Sequence, residues 1–135
     1  MKKQGFTLLE LLIVVVIIGI LALIAAPSLL NATYEARNGT VKANVSAAAS
    51  SITSRFALNN NETPTEVADA VVTTLNTDND NPIDDQYAAF ATSGTNPGAV
   101  VLTADDANDQ ITITGYDGNS QELITKLVSA PQSNS

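Results

Sequence analysis

The 135-residue chain contains no cysteine and no histidine, and only 4% of it is aromatic. Without cysteine there is no disulfide, no thiolate metal site and no lipoprotein attachment. Without histidine the chain lacks the commonest general base and the commonest transition-metal ligand. We therefore expect neither catalysis nor a cofactor. Positive charge is also scarce: six basic side chains face 14 acidic ones, a formal charge of −8. A body this acidic repels a phosphate backbone, so direct nucleic-acid binding is not expected. The acidity reads as solubility and mutual repulsion of an exposed surface.

Apolar residues, in contrast, are concentrated at the N-terminus. Lys2-Lys3-Gln4-Gly5-Phe6-Thr7-Leu8-Leu9-Glu10 runs directly into Leu11-Leu12-Ile13-Val14-Val15-Val16-Ile17-Ile18. No side chain from Leu11 to Ala26 is charged or carries an amide. As a helix, Phe6 to Ala26 would extend roughly 30 Å, about the hydrocarbon thickness of a bilayer. Lys2 and Lys3 flank one end, which the positive-inside rule keeps cytoplasmic, leaving everything after Pro27 outside. One carboxylate, Glu10, interrupts the apolar run, and a charge in hydrocarbon is costly enough to require a reason.

Neither a secretory signal peptide nor a plain anchor explains that pattern. A signal peptide needs a small-x-small cleavage site, and the one candidate, Ala26-Pro27-Ser28, has proline in the middle. A plain anchor accounts for the length but not for the Gly5-Phe6 junction or for Glu10. The segment from Gly5 to Val15 instead resembles the class III signal of bacterial type IV prepilins and type II secretion pseudopilins. That resemblance covers about Lys2–Pro27 and fades along the helix that follows.

The resemblance implies a leader, Met1–Gly5, cut on the cytoplasmic side by a prepilin peptidase that also methylates the new amine at Phe6. It implies that Glu10 pairs with the N-terminal amine of a neighbouring subunit and sets axial register, with Thr7 beside it. Such a pair is favourable relative to either charge alone in a water-poor core. Gly19 and Pro27 stand where the family commonly has helix-weakening residues. The residues also allow a local reading: Thr7-Leu8-Leu9-Glu10 is a capping box, with Glu10 satisfying a helix N-terminus. Implied partners are identical subunits, related minor pilins, the peptidase and an inner-membrane assembly platform driven by an ATPase. The subunit would wait in the inner membrane and end in an extracellular pilus. Loss of the leader would leave four basic against 14 acidic side chains, a balance of −10. Alternatives are a pseudopilin of a type II secretion system, forming a periplasmic fibre, or a membrane-anchored extracytoplasmic binding module.

Beyond Pro27 the spacing predicts an amphipathic continuation of the helix over 27–58. Leu30, Tyr34, Val41, Val45, Ile52 and Phe56 fall on one stripe. Asn38-Gly39 is a point for a kink, and Asn59-Asn60-Asn61 ends the helix. Residues 59–135 form the head. Thr63-Pro64-Thr65-Glu66 predicts a capped helix over about 64–75, with Val67, Ala70, Val71 and Leu75 toward the core. An acidic loop follows over 76–85. Its Asp78, Asp80, Asp84 and Asp85 offer oxygen ligands of the type calcium takes, but without the glycine and terminal glutamate of an EF-hand. A solvated loop is the reading adopted.

Alternating residues predict strands over about 99–104, 110–116 and 122–128, with Tyr87–Ala91 either a fourth strand or irregular. Pro131–Ser135 reads as a frayed tail. The expected architecture is α+β: a long N-terminal helix packed on a small antiparallel sheet, type IV pilin-like.

Overall fold

The computed structural model describes residues 4–132, which fall into two compact units, residues 4–35 and 36–132. Lys2 and Lys3, on which the orientation argument rests, lie outside the described residues, as does most of the tail expected from Pro131. One helix, α1 (Leu8–Leu58), runs through both units. It starts at Thr7, whose carbonyl accepts the N–H of Leu11 at 3.2 Å, and ends at the three asparagines.

In the first unit every described side chain is exposed, the large apolar ones ranging from Phe6 at 91% to Tyr34 at 39%. An apolar window of this helix is long enough to cross a membrane. Gly19 and Pro27 both lie inside unbroken helix. Proline still removes one N–H from the ladder, so the carbonyl a turn before it has no helical donor.

In the second unit α1 presents a buried seam of Asn38, Val41, Asn44, Val45, Ala48, Ala49, Ile52 and Phe56. This corrects the expected stripe at its near end, because Leu30 and Tyr34 belong to the first unit and stay 72% and 39% exposed. Apolar spacing marks a face of a helix; a partner surface decides how much of that face is buried. Asn38-Gly39, expected as a point for a kink, lies inside unbroken helix. Asn38 is packed at 4% exposure while Gly39 faces open space, so the glycine costs propensity without breaking the ladder.

Helix α2 spans Pro64–Asp78. Thr63 caps it: its hydroxyl accepts the N–H of Glu66 at 3.3 Å, and Glu66 accepts the N–H of Thr63 at 2.9 Å. The helix continues three residues past its expected end, which moves Asn76, Thr77 and Asp78 out of the acidic loop. Side-chain bonds explain the extension. Asn79 Nδ2 donates to the carbonyl of Leu75 at 2.8 Å, and the Asn76 amide holds both the N–H and the C=O of Phe90 at 2.9 Å. Val67, Ala68 and Val71 are buried, whereas Ala70 and Leu75 are half-buried.

Four strands form one sheet in the order β1-β2-β3-β4: β1 (Phe90–Ala91), β2 (Val100–Asp105), β3 (Gln110–Tyr116) and β4 (Glu122–Ser129). The three long strands are antiparallel, as expected. The fourth strand is only Phe90–Ala91 and pairs parallel to β2, so the sheet is mixed. The Asn76 amide supplies Phe90 with the pair of bonds a further strand would give. Val100, Leu102, Ile111 and Ile113 project from one face into a single core with the α1 seam and Val67, Ala68 and Val71 of α2. At Gly115 α1 lies close against the sheet: a Cβ there would stand 2.9 Å from both Val41 Cγ1 and Val45 Cγ2.

Candidate functional site

The residues singled out at the N-terminus form a continuous local structure. Gln4 to Thr7 lie outside the helix, and Gly5 has open space around its Cα. The Gly5-Phe6 peptide is therefore non-helical and exposed, a form in which a backbone can be drawn into a protease groove. Phe6 is outside the helix and exposed, so it is not held by intramolecular packing.

Thr7 and Glu10 form the capping box. The N–H of Thr7 donates to Glu10 Oε2 at 3.1 Å, and the N–H of Glu10 donates to Thr7 Oγ1 at 3.2 Å. Two backbone donors that the helix leaves unpaired are thereby satisfied, with the carboxylate at the positive end of the helix dipole. The second oxygen of Glu10 is not used in this arrangement. Phe6, Glu10, Leu11, Ile13 and Val14 surround an open concavity of about 430 Å³ that is almost wholly apolar.

The acidic residues proposed as weak calcium ligands are not gathered. Asp78 is the last residue of α2, Asp80 bridges to Ala88, and Asp84 Oδ1 accepts the N–H of Gln86 at 3.0 Å. Among the described residues no three acidic side chains converge on a point that could hold an ion.

A different residue organises this loop. Asn81, buried, uses its whole amide: Nδ2 donates to the carbonyls of Pro97 at 2.8 Å and Ala88 at 3.3 Å, and Oδ1 accepts the N–H groups of Ile83 at 2.9 Å and Asp84 at 3.1 Å. Gly98 abuts it with φ +73°, and a Cβ there would collide with Asn81 Oδ1. The head is thus closed by an asparagine rather than by a disulfide. Nothing in the pattern Asp-Asn-Asp-Asn-Pro distinguished Asn81 from its neighbours. The only cue was the following Pro82, which favours turn initiation.

A second tie is the pair Arg55–Glu62, bidentate at 2.7 and 2.8 Å, which holds the end of α1 to the approach to α2. The hydrogen bonds that Arg55 donates to the Glu62 carboxylate hold the pKa of its guanidinium above the ordinary range.

Residues 1–26 match the family model described as the prokaryotic N-terminal methylation motif. The chain is 47% identical over 58 residues to the type IV narrow pilus major component PilA5 of Thermus thermophilus, covering 43% of this chain. The match spans 47% of that relative's length, a little under half. At 58 residues it is more than twice the length of the motif, so the likeness reaches beyond the methylation segment. No solved structure matches the chain. The methylation motif at residues 1–26, the sequence shared with a pilus component and the apolar helix continued into a helix-on-sheet head are what this chain has in common with type IV pilins.

Proposed function

We propose that the chain is the structural subunit of a type IV pilus filament. It is made as a prepilin, cut after Gly5 and N-methylated at Phe6. Residues 6–26 hold it in the inner membrane, N-terminus cytoplasmic, until it polymerises through that same helix. The observation that carries this reading is the first unit itself: a capped helix that leaves all its described apolar side chains uncovered and carries one anion, Glu10, at its start. Such a surface is stable only in lipid or against copies of itself.

Cutting the Gly5-Phe6 bond creates an amine four residues before Glu10. In the subunit this carboxylate caps the helix; in the filament it would pair with a neighbour's amine. The partners follow from the reading: identical subunits, minor pilins, the peptidase, and the ATPase-driven platform in the membrane. The acidic heads face water, and no step requires catalysis by the chain.

Shearing fibres from cells and measuring the intact mass of this chain tests the proposal. A fibre fraction dominated by a chain that starts at methylated Phe6 is expected. A retained Met1, or cleavage after Ser28, contradicts it. A processed chain confined to short periplasmic assemblies would assign it to a secretion pseudopilus instead.

A further inference from the structure

The two edges of the sheet are finished differently. At one, the Phe90 N–H and C=O of β1 are held by the Asn76 amide at 2.9 Å. At the other stands β4, eight residues long, with no strand beyond it among the described residues. The ladder fixes the phase of its backbone. Ala130 N–H donates to the carbonyl of Asp109 at 2.8 Å, so Val128, Lys126 and Ile124 also turn their backbone groups toward β3. Thr125, Leu127 and Ser129 lie opposite Thr114, Thr112 and Gln110 in the alternate pairs, and turn theirs away. Those outward N–H and C=O groups make no hydrogen bond among the described residues.

An open edge of this length is a template for another strand, and charge, proline or a bulge is what normally blunts it. Here the blunting is slight. From Leu123 to Ala130 the strand carries one charge, Lys126, and no acid, in a chain of formal charge −8. The bulge opposite Gly115/Tyr116 leaves the strand regular from Ile124 onward. Lys126 lies opposite Ile113, on the face turned to α1, whereas Leu127 lies opposite Thr112 on the other face. There Leu127 is 56% exposed, between the exposed Thr125 and Ser129.

We infer that the β4 edges of two copies of this chain pair antiparallel about a two-fold axis at Leu127. The occupant is a copy because the edge is complementary to itself in that register. Leu127 meets Leu127, each Thr125 meets the partner's Ser129, and Lys126 meets Val128, so no like charges are opposed. All three outward residues then exchange backbone bonds. The neighbouring registers fail. An axis at Lys126 opposes two lysines, one at Thr125 runs the partner into the bulge, and one at Val128 sets Thr125 against Pro131, which has no N–H. A two-fold contact closes at two copies and cannot repeat along a polar fibre. It is therefore separate from polymerisation through the apolar helix and would tie a head of one fibre to a head of another.

The chain has no cysteine, so single substitutions report the register without background. Full-length chains are oxidised in the cell envelope and their disulfide-linked dimers measured. Leu127→Cys should link to itself, because an opposed hydrogen-bonded pair sets its Cα atoms about 5.5 Å apart, within disulfide reach. Thr125→Cys alone and Ser129→Cys alone should give no dimer, since like positions stand about 14 Å apart in this register. Produced together, those two chains should link to each other. Adding Leu127→Pro to both should abolish that link, because proline removes an outward N–H and leaves the bonds to β3 in place. Thermal melting of the proline chains in detergent separates misfolding from failed docking, and the cysteine pattern decides the register by itself.

No dimer from Leu127→Cys, or self-links of similar yield at all three positions, overturns the inference. A link from Leu127→Cys to a different protein, with none to itself, also overturns it and gives the edge to another strand. Each of these results leaves the filament reading intact, because that reading is tested on sheared fibres and this contact involves the head alone.

Discussion

Thr7 and Glu10 satisfy each other's backbone: each residue's N–H is bonded to the other's side chain, at 3.1 and 3.2 Å. The carboxylate that would later meet a neighbouring subunit therefore already serves as a helix cap. In the proposed filament Glu10 exchanges this neutral cap for a cationic partner, or keeps one oxygen on each. Processing has to come first, because the amine does not exist until Gly5 is removed.

Gly115 lies where α1 meets the sheet, with Val41 and Val45 directly over its Cα. Gly115→Ala places a methyl 2.9 Å from both valines. Overpacking of this type costs about 1–3 kcal/mol, and Gly115→Val should cost more. Thermal or urea unfolding of the full chain in detergent measures it. An unchanged midpoint would mean that α1 moves away from the sheet freely.

Asn81 is the closure of the head. Asn81→Ala leaves the N–H groups of Ile83 and Asp84 and the carbonyls of Ala88 and Pro97 without their partner. A loss of about 2–4 kcal/mol is expected, since each orphaned buried group carries its desolvation cost. Asn81→Asp keeps the acceptor but turns an anion toward two carbonyls, so it should destabilise at least as much at neutral pH. Hydrogen exchange at Ile83 and Asp84 should accelerate in both variants.

Much of this fold was legible in the sequence, for identifiable reasons. The cap at Thr63-Pro64-Thr65-Glu66 is a local bond pattern that needs no tertiary context, and it was found. Alternation of Ile111 and Ile113 with Thr112 and Thr114 fixes which face of β3 is buried. Asparagines were the opposite case. Asn38, Asn76 and Asn81 draw their roles from partners far along the chain or from packing, and asparagine reads as a turn or loop residue everywhere. At the candidate site the box of Thr7 and Glu10 was readable, because its atoms lie three residues apart. Any contact between chains was not readable from one chain's spacing.

Asn38 occupies a core position without a bond to its Oδ1. An unsatisfied buried acceptor costs about 1–3 kcal/mol, and an apolar residue of similar shape avoids that cost. Asn38→Leu is therefore expected to raise the unfolding midpoint. A lower midpoint would show that Asn38 contributes a bond in the folded head.

The β2–β3 turn carries the pH dependence. The Asn108 side chain, helped by the N–H groups of Asn108 and Ala107 and by Gln110, holds the Asp105 carboxyl below its ordinary range. A depressed folded value means that its stabilisation is complete above the unfolded pKa of about 3.9 and is lost as pH falls through the lower folded value. Asp105→Asn should lower the midpoint near neutral pH. That difference should shrink as pH falls through the folded value. A difference that persists in acid would locate the effect in the neutral hydrogen bonds.

The central claim is that Glu10 acts between subunits, and filament yield from a Glu10→Leu chain tests it most directly. Cells producing Glu10→Leu should contain the chain at normal level with its N-terminus at methylated Phe6, while sheared filaments are absent or severely shortened. Thr7→Val, which removes a cap worth about 1 kcal/mol and leaves the carboxylate, should weaken assembly without abolishing it. Filaments of normal length and amount from the Glu10→Leu chain would contradict the account.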